Sequence, residues 1–169
     1  TKSGSGNMAE RALDEIDRKI LTALQRDGRM SIADLAAEVG QSPSPCARRI
    51  RRLENSGVVE KYAALVDPKH VGQHVLAFVQ IKLERHTDDV IERFRRTLEE
   101  RPEVVSAHAM TGEMDFLLQV VVPDLDALGR FTLHQLLKLP GVRDVQSSLV
   151  LETLKAVAQV PLEAMAGQR

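Results

Sequence analysis

The chain has 169 residues, is 43% hydrophobic and 28% charged, and carries a net charge of −1. That balance suits a globular protein of one domain or two small ones, and no apolar run approaches the ~20 residues of a helical membrane span. A near-zero net charge excludes general basicity as a basis for nucleic-acid binding, which would have to rest on a local patch.

Residues 1–7, TKSGSGN, read as an appended remnant ahead of a native Met8. The first helix is expected over 13–27, where Leu13, Ile16, Ile20 and Leu24 recur at helical spacing with Asp17, Arg18 and Lys19 between them. Gly28 ends it. A second, short helix spans 31–39, with Ser31 as N-cap and Asp34 as its capping-box partner. Ile32, Leu35, Ala36 and Val39 form its inward face, and Gly40 closes it.

The stretch 41–59, QSPSPCARRIRRLENSGVV, carries the most information. Ser42 is an N-cap whose hydroxyl can accept from a free backbone N–H, Pro43 occupies the first helical position, and Gly57 follows the last turn. Cys46, Ile50 and Leu53 make one apolar stripe. At about 100° per residue, Ser44, Arg48, Arg51 and Asn55 fall opposite it, Arg52 lies beside them, and Arg49 lies nearer the stripe. Four arginines against Glu54 give residues 42–56 a local charge of +3. An isolated arginine face can be merely solvated. Here it follows a short helix and a tight glycine turn, which is the helix-turn-helix pattern, whose second helix lies in the major groove of double-stranded DNA. The candidate DNA contacts are Ser42, Ser44, Arg48, Arg51 and Arg52, with Arg49 as a flanking phosphate contact.

Residues 58–66 are β-prone and read as a wing-like hairpin turning at Glu60 and Lys61; Asp67 and Pro68 break it. A linker follows over 67–73, with Gly72 as its flexible point. The expected domains are therefore 8–66 for DNA binding and 74–169 for a second domain. In the latter, 74–84 alternates, with Val75, Ala77, Val79, Ile81 and Leu83 on one face of a strand. Thr87 caps a helix over 88–101, with Val90, Ile91, Phe94 and Leu98 inward and Pro102 stopping it. Strands are expected over 104–110 and 114–122, joined at Thr111, Gly112 and Glu113. Asp124 caps a helix running to 139 that carries Leu125, Leu128, Phe131, Leu136 and Leu137. A last strand covers 142–154. The order βαββαβ gives an α+β, ferredoxin-like domain. Its two helices cover one sheet face; the other, carrying Leu117, Val121 and Val150 or the alternate set, is too apolar for water and points to a homodimer.

No catalytic constellation emerges. His70, His74, His86, His108 and His134 lie in unrelated elements without metal-ligand spacing, and no glycine-rich phosphate loop is present. The expectation is a non-enzyme with no cofactor and no metal. The single cysteine, Cys46, excludes an internal disulfide framework and fits a reducing cytoplasm; it reads as a small core residue or, alternatively, a redox sensor. The loop Thr111-Gly112-Glu113-Met114-Asp115 concentrates a hydroxyl, backbone N–H groups and carboxylates. It is either a hairpin with a polar tip or a site for the carboxylate and ammonium of an amino acid.

These stretches together, LDEIDRKILTALQRDGR, SIADLAAEVGQSPSPCARRIRRLENSGVVEKYAALVDP, TGEMDFLLQV and LPGVRDVQSSLVL, closely resemble the Lrp/AsnC (feast/famine) family of transcriptional regulators over residues 13–154. The resemblance implies a winged helix-turn-helix joined to an amino-acid-sensing and oligomerisation domain, with homodimers assembling into octamers or similar rings. It implies an effector, often an amino acid, bound between subunits at the loop matched here by Thr111, Gly112, Glu113, Met114 and Asp115, approached by Ser147 and Ser148 of the last strand. Met114 stands where the family often has an aromatic, and a flexible thioether shapes a pocket differently from a ring. Two other readings are an architectural protein that wraps DNA without an effector and a small enzyme on a ferredoxin-like dimer.

Overall fold

The computed structural model describes residues 13–156 and 159–162, so the remnant expected at 1–7 lies outside the described residues. The chain divides into two compact units, Thr1–Ala64 with Lys155–Arg169, and Leu65–Leu154. The second domain was expected to run to 169; the tail groups instead with the helical unit, where Val160 hydrogen-bonds to Gln25 and Leu162 packs on the core.

The first unit has three helices, α1 (Glu15–Arg26), α2 (Ile32–Glu38) and α3 (Pro43–Asn55). A reciprocal capping box starts α1: the Asp17 N–H donates to Asp14 at 2.8 Å, and the Asp14 N–H to Asp17 at 3.3 Å. Ser31 caps α2 by accepting the Asp34 N–H at 3.1 Å, as its spacing predicted. Ile20, Leu21, Ala23, Leu35, Ala36, Val39, Cys46 and Leu53 form one core. Each large side chain so buried contributes about 1.5–3 kcal/mol. Ile32 was expected inward but is 46% exposed, because it opens α2 ahead of the first inward turn.

Ser42 is the N-cap of α3 by position, yet its hydroxyl makes no capping bond. The reason lies in the sequence: Pro45 at the third helical position has no N–H to give. Gly57 at φ 76° ends the helix, its N–H donating to the Glu54 carbonyl at 3.0 Å, a left-handed conformation that glycine adopts without a Cβ penalty. The wing expected over 58–66 forms no paired strands; residues 60–67 are irregular, and Tyr62 instead donates to Glu54 at 3.0 Å.

The second unit is an antiparallel sheet in the order β2-β3-β1-β4, formed by β1 (Val75–Leu83), β2 (Val104–Ala109), β3 (Phe116–Val122) and β4 (Val142–Leu149). This is the expected ferredoxin-like topology. Helix α4 (Asp88–Glu99) and α5 (Leu125–Gly129) supply the helices. Thr87 precedes α4, but its hydroxyl donates to the Asp89 carboxylate at 2.5 Å and does not cap the backbone. The helix expected to run from 125 to 139 changes pitch: Arg130–Leu136 is π-helical, with Thr132 donating back to the Leu128 carbonyl at 2.9 Å. Of the apolar residues this segment carries, Leu128, Phe131 and Leu136 are buried, whereas Leu125 and Leu137 are 60% and 41% exposed. The core joins Ala77, Val79, Ile81 and Leu83 to Leu118, Val120, Val122, Phe94, Leu98 and Phe131.

β4 stops at Leu149, and the expected strand to 154 is not formed. Val150 still donates to the Leu76 carbonyl, but β1 begins at Val75, so nothing remains to pair beyond it. The face away from the helices carries Leu76, Phe78 and Gln80 beside Leu117, Gln119 and Val121, with Gln146 and Ser148 across β1. The first of the two alternative face sets is thus the open one, and Phe78 at its centre is 38% exposed.

A Gly141→Ala change tests the β4 entry. Gly141 has φ 88°, and an added Cβ would lie 2.8 Å from a Val90 methyl. Strained backbone and the clash together are expected to cost about 2–3 kcal/mol in urea unfolding.

Candidate nucleic-acid interface and ligand cavity

Helix α3 is built as a two-sided element. Cys46 and Leu53 are 0% and 1% exposed, and Ile50 packs partly against the same core. Burial pushes the Cys46 thiol pKa up, away from a reactive thiolate, which favours the core-residue reading over the redox sensor. The outer face carries Ser42, Ser44, Arg48, Arg51 and Asn55, all exposed, and an open depression runs along Arg48, Arg51, Arg52, Asn55 and Ser56.

The four arginines divide into two pairs. Asp17 of α1, 2% exposed, accepts from Arg49 at 2.9 Å and from Arg52 in a close charge-assisted bond. Arg49 also reaches Asp14 at 2.6 Å. Arg49 therefore turns back into the fold, where a phosphate contact had been expected, and Arg52 is anchored at one end. Arg48 and Arg51 have no ion pair among the described residues. The Asp14 carboxyl is held below the ordinary carboxylate range, first by the Asp17 N–H and then, against burial, by Arg49. Sequence reading placed Asp17 only between apolar positions. Its spacing from Asp14 matched a capping box, but the closure of α3 onto it is a tertiary fact.

The second candidate site divides as well. A cavity of about 270 Å³ opens under the β2–β3 loop, lined by Thr111, Glu113, Met114, Met110, Phe116, Leu117, Gln80 and Gln146. Gly112 turns the loop at φ 113°, and Lys82 donates to the Glu113 carbonyl. Asp115 does not line the cavity. It accepts the Leu83 N–H at 2.7 Å, pairs with His86 at 2.8 Å, and its own N–H donates to the Ile81 carbonyl at 2.9 Å. Burial raises the Asp115 pKa, but the Leu83 N–H, His86 and Lys82 outweigh it and hold the carboxyl below its ordinary value. Ser147 pairs in register with Val79 and Ser148 with Phe78, so they point to opposite sheet faces, and neither lines the cavity. The residues missed from sequence, Gln80 and Gln146, face each other across β1 and β4, with Leu117 opposite Gln80 on β3. Their adjacency depends on strand register, which a linear reading of polar residues within apolar strands does not give.

Comparison with known proteins bears on both sites. Residues 13–60 match a family model described as winged helix-turn-helix DNA-binding, and residues 76–160 match the Lrp/AsnC ligand binding domain. The chain is 42% identical over 143 residues to the leucine-responsive regulatory protein of Escherichia coli, covering 85% of this chain and 87% of that one. Its fold is similar to a transcriptional regulator from Neisseria meningitidis solved in complex with L-Met, with a TM-score of 0.87, 42% identity, and coverage of 91% and 99%. It is also similar to an AsnC family transcriptional regulator from Agrobacterium tumefaciens, with a TM-score of 0.84, 41% identity, and coverage of 90% and 99%.

Two substitutions probe these arrangements. Asp17→Ala is expected to lower the stability of the helical unit by about 1–3 kcal/mol in chemical denaturation, below the 3–5 of a fully buried pair because both arginines reach solvent. Asp115→Ala leaves the Leu83 N–H without its acceptor and is expected to cost about 1–3 kcal/mol. Because the folded Asp115 pKa is depressed, its contribution is present above the ordinary carboxylate value of about 3.9 and is lost as pH falls through the folded value. The wild-type advantage over Asp115→Ala should therefore shrink below about pH 4.

Proposed function

Because the chain belongs to the Lrp/AsnC family of transcriptional regulators, a DNA-binding helix-turn-helix joined to an amino-acid-binding domain, we propose that it reads promoter DNA through Arg48 and Arg51 and senses a free amino acid under the Gly112 loop. The observation that carries the DNA reading is the division of the arginines. Arg48 and Arg51, three residues apart on one exposed helical face, are the cations left to meet guanine edges or phosphates. The Ser42 and Ser44 hydroxyls beside them make no hydrogen bond among the described residues. Arg52 adds a contact that its pairing with Asp17 orients, and Arg49 sets the angle of α3 on α1.

The effector reading rests on the chemistry of the cavity. An amino acid needs a donor set for its carboxylate, an acceptor for its ammonium, and apolar room for its side chain. Gln80, Gln146, Thr111 and the loop N–H groups supply the first, Glu113 the second, and Met110, Met114 and Leu117 the third. Asp115 acts by holding the loop to the end of β1. Two copies meet across the open sheet face, burying Leu76, Phe78, Leu117 and Val121, and dimers assemble further into an octamer or a similar ring around the loop. The protein works in the cytoplasm on double-stranded DNA, has no enzymatic role, and places paired recognition helices ~34–36 Å apart, or a multiple, on a pseudo-palindromic site.

Selection of genomic fragments by the purified protein at physiological salt tests the regulator reading. Enrichment of a few pseudo-palindromic promoter sites is expected; even coverage of the genome would replace it with architectural wrapping. On an enriched site, Arg51→Ala should weaken binding by about 1–3 kcal/mol, whereas Arg49→Ala should show its main loss in thermal stability. L-methionine, the ligand of the Neisseria meningitidis relative, is the first effector probe, followed by the other amino acids. Gln146→Ala is expected to weaken binding of the responding amino acid by ~10-fold or more in calorimetry, as for a lost bond to a charged group. Unchanged affinity would remove Gln146 from the site.

A further inference from the structure

The last turn of α1 presents Gln25, and the described part of the tail lies against it. The two groups of its side-chain amide are both used on one residue: Gln25 Oε1 accepts the Val160 N–H at 2.6 Å, and Gln25 Nε2 donates to the Val160 carbonyl at 3.2 Å. This is the hydrogen-bonding that a strand neighbour would offer, supplied here by a single side chain. Two residues further on, Leu162 packs against the core of the helical unit, which Leu13, Ile16, Leu24 and Met30 also flank. Val160 itself is 69% exposed, so the apolar effect does not hold it there; the amide does. Pro161 adds preorganisation. It holds the residue before it in the extended region, so Val160 meets Gln25 with little conformational freedom left to lose.

We propose that this face of α1 is a docking surface for an extended segment of the form polar-apolar-Pro-Leu, that its occupant is the chain's own Gln159–Leu162, and that the docking restrains the DNA-binding unit. The covalent path gives the restraint its meaning. The segment leaves β4, the strand that carries Gln146 in the cavity, and ends on α1, the helix whose Asp17 holds Arg49 and Arg52 of α3. The helical unit is thereby attached to the sheet through the tail as well as through the linker after α3. Two attachments fix where a recognition helix can reach more narrowly than one, and narrowing favours a site of defined half-site spacing. The second step rests on the regulator reading; the docking itself does not.

The test uses the full chain and two independent substitutions, Gln25→Glu and Leu162→Ser. Gln25→Glu keeps size and helix propensity but removes the donor and sets a carboxylate oxygen against the Val160 carbonyl. Two readouts are needed: amide hydrogen exchange over 159–162 and the last turn of α1, and affinity for a promoter fragment enriched from the genome. Both variants are expected to speed exchange of the Val160 amide at least ~10-fold, the effect of losing ~1.4 kcal/mol of docking. Both should weaken binding to the fragment about 3–10-fold with an unchanged salt slope, because no phosphate contact is lost. Wild-type exchange rates at Val160 in both variants would overturn the docking surface. Faster exchange with unaltered DNA affinity would overturn the restraint. If the wild-type chain enriches no fragment, the regulator reading fails by itself, and the exchange rates still decide whether the segment is docked.

Discussion

A single carboxylate, that of Asp17, organises the DNA-binding unit. It sits almost fully buried on α1, closes the cap of its own helix, and receives two guanidinium groups from α3. A lone buried charge would be strongly unfavourable, so the fold is obliged to bring Arg49 and Arg52 to it. That obligation fixes the rotation of α3 about its axis. Once Arg49 and Arg52 point inward or sideways, Arg48 and Arg51 must point out. The apolar stripe of Cys46, Ile50 and Leu53 chooses the same rotation, so packing and electrostatics agree.

The second unit repeats the device at the ligand loop. Asp115 looks like a ligand group in a polar loop, and the structure makes it a fastener between the start of β3, the end of β1 and His86. The side chains left facing the cavity are amides, a hydroxyl, a carboxylate, thioethers, a leucine and a phenylalanine. A buried or half-buried acid thus supports each candidate surface from behind, and the surface itself is left to groups that are not already paired.

Helix and strand order was readable in the sequence because it depends on period and punctuation. Ile20, Leu35 and Leu53 fell at helical spacing, Ala77 to Leu83 alternated, and Gly57 ended α3 where its position implied. What could not be read depends on tertiary neighbours. The hydroxyl of Ser42 lost its capping role to the proline three positions on. The wing over 58–66 had strand-forming residues but no partner strand among the described residues of the unit. The last strand ended at Leu149 because β1 offered nothing further to pair with, and the helix expected to run from 125 to 139 changed pitch around Thr132. Of the candidate sites, the arginine helix and the glycine loop could be singled out in the sequence, while the partition among the arginines and the pairing of Gln80 with Gln146 depend on the register of helices and strands.

On the proposed reading of α3 as the helix that meets DNA, its two prolines have a consequence for how one sequence is distinguished from another. A helix N-terminus ordinarily offers four free backbone N–H groups, and any phosphate satisfies them equally. Pro43 and Pro45 delete two of those donors, leaving this end of the helix a poor generic anion trap. The hydroxyls of Ser42 and Ser44 stand in their place, and a hydroxyl both gives and accepts, so its fit depends on which base edge it meets. On that reading the helix exchanges indiscriminate grip for discrimination at the end that would enter the groove.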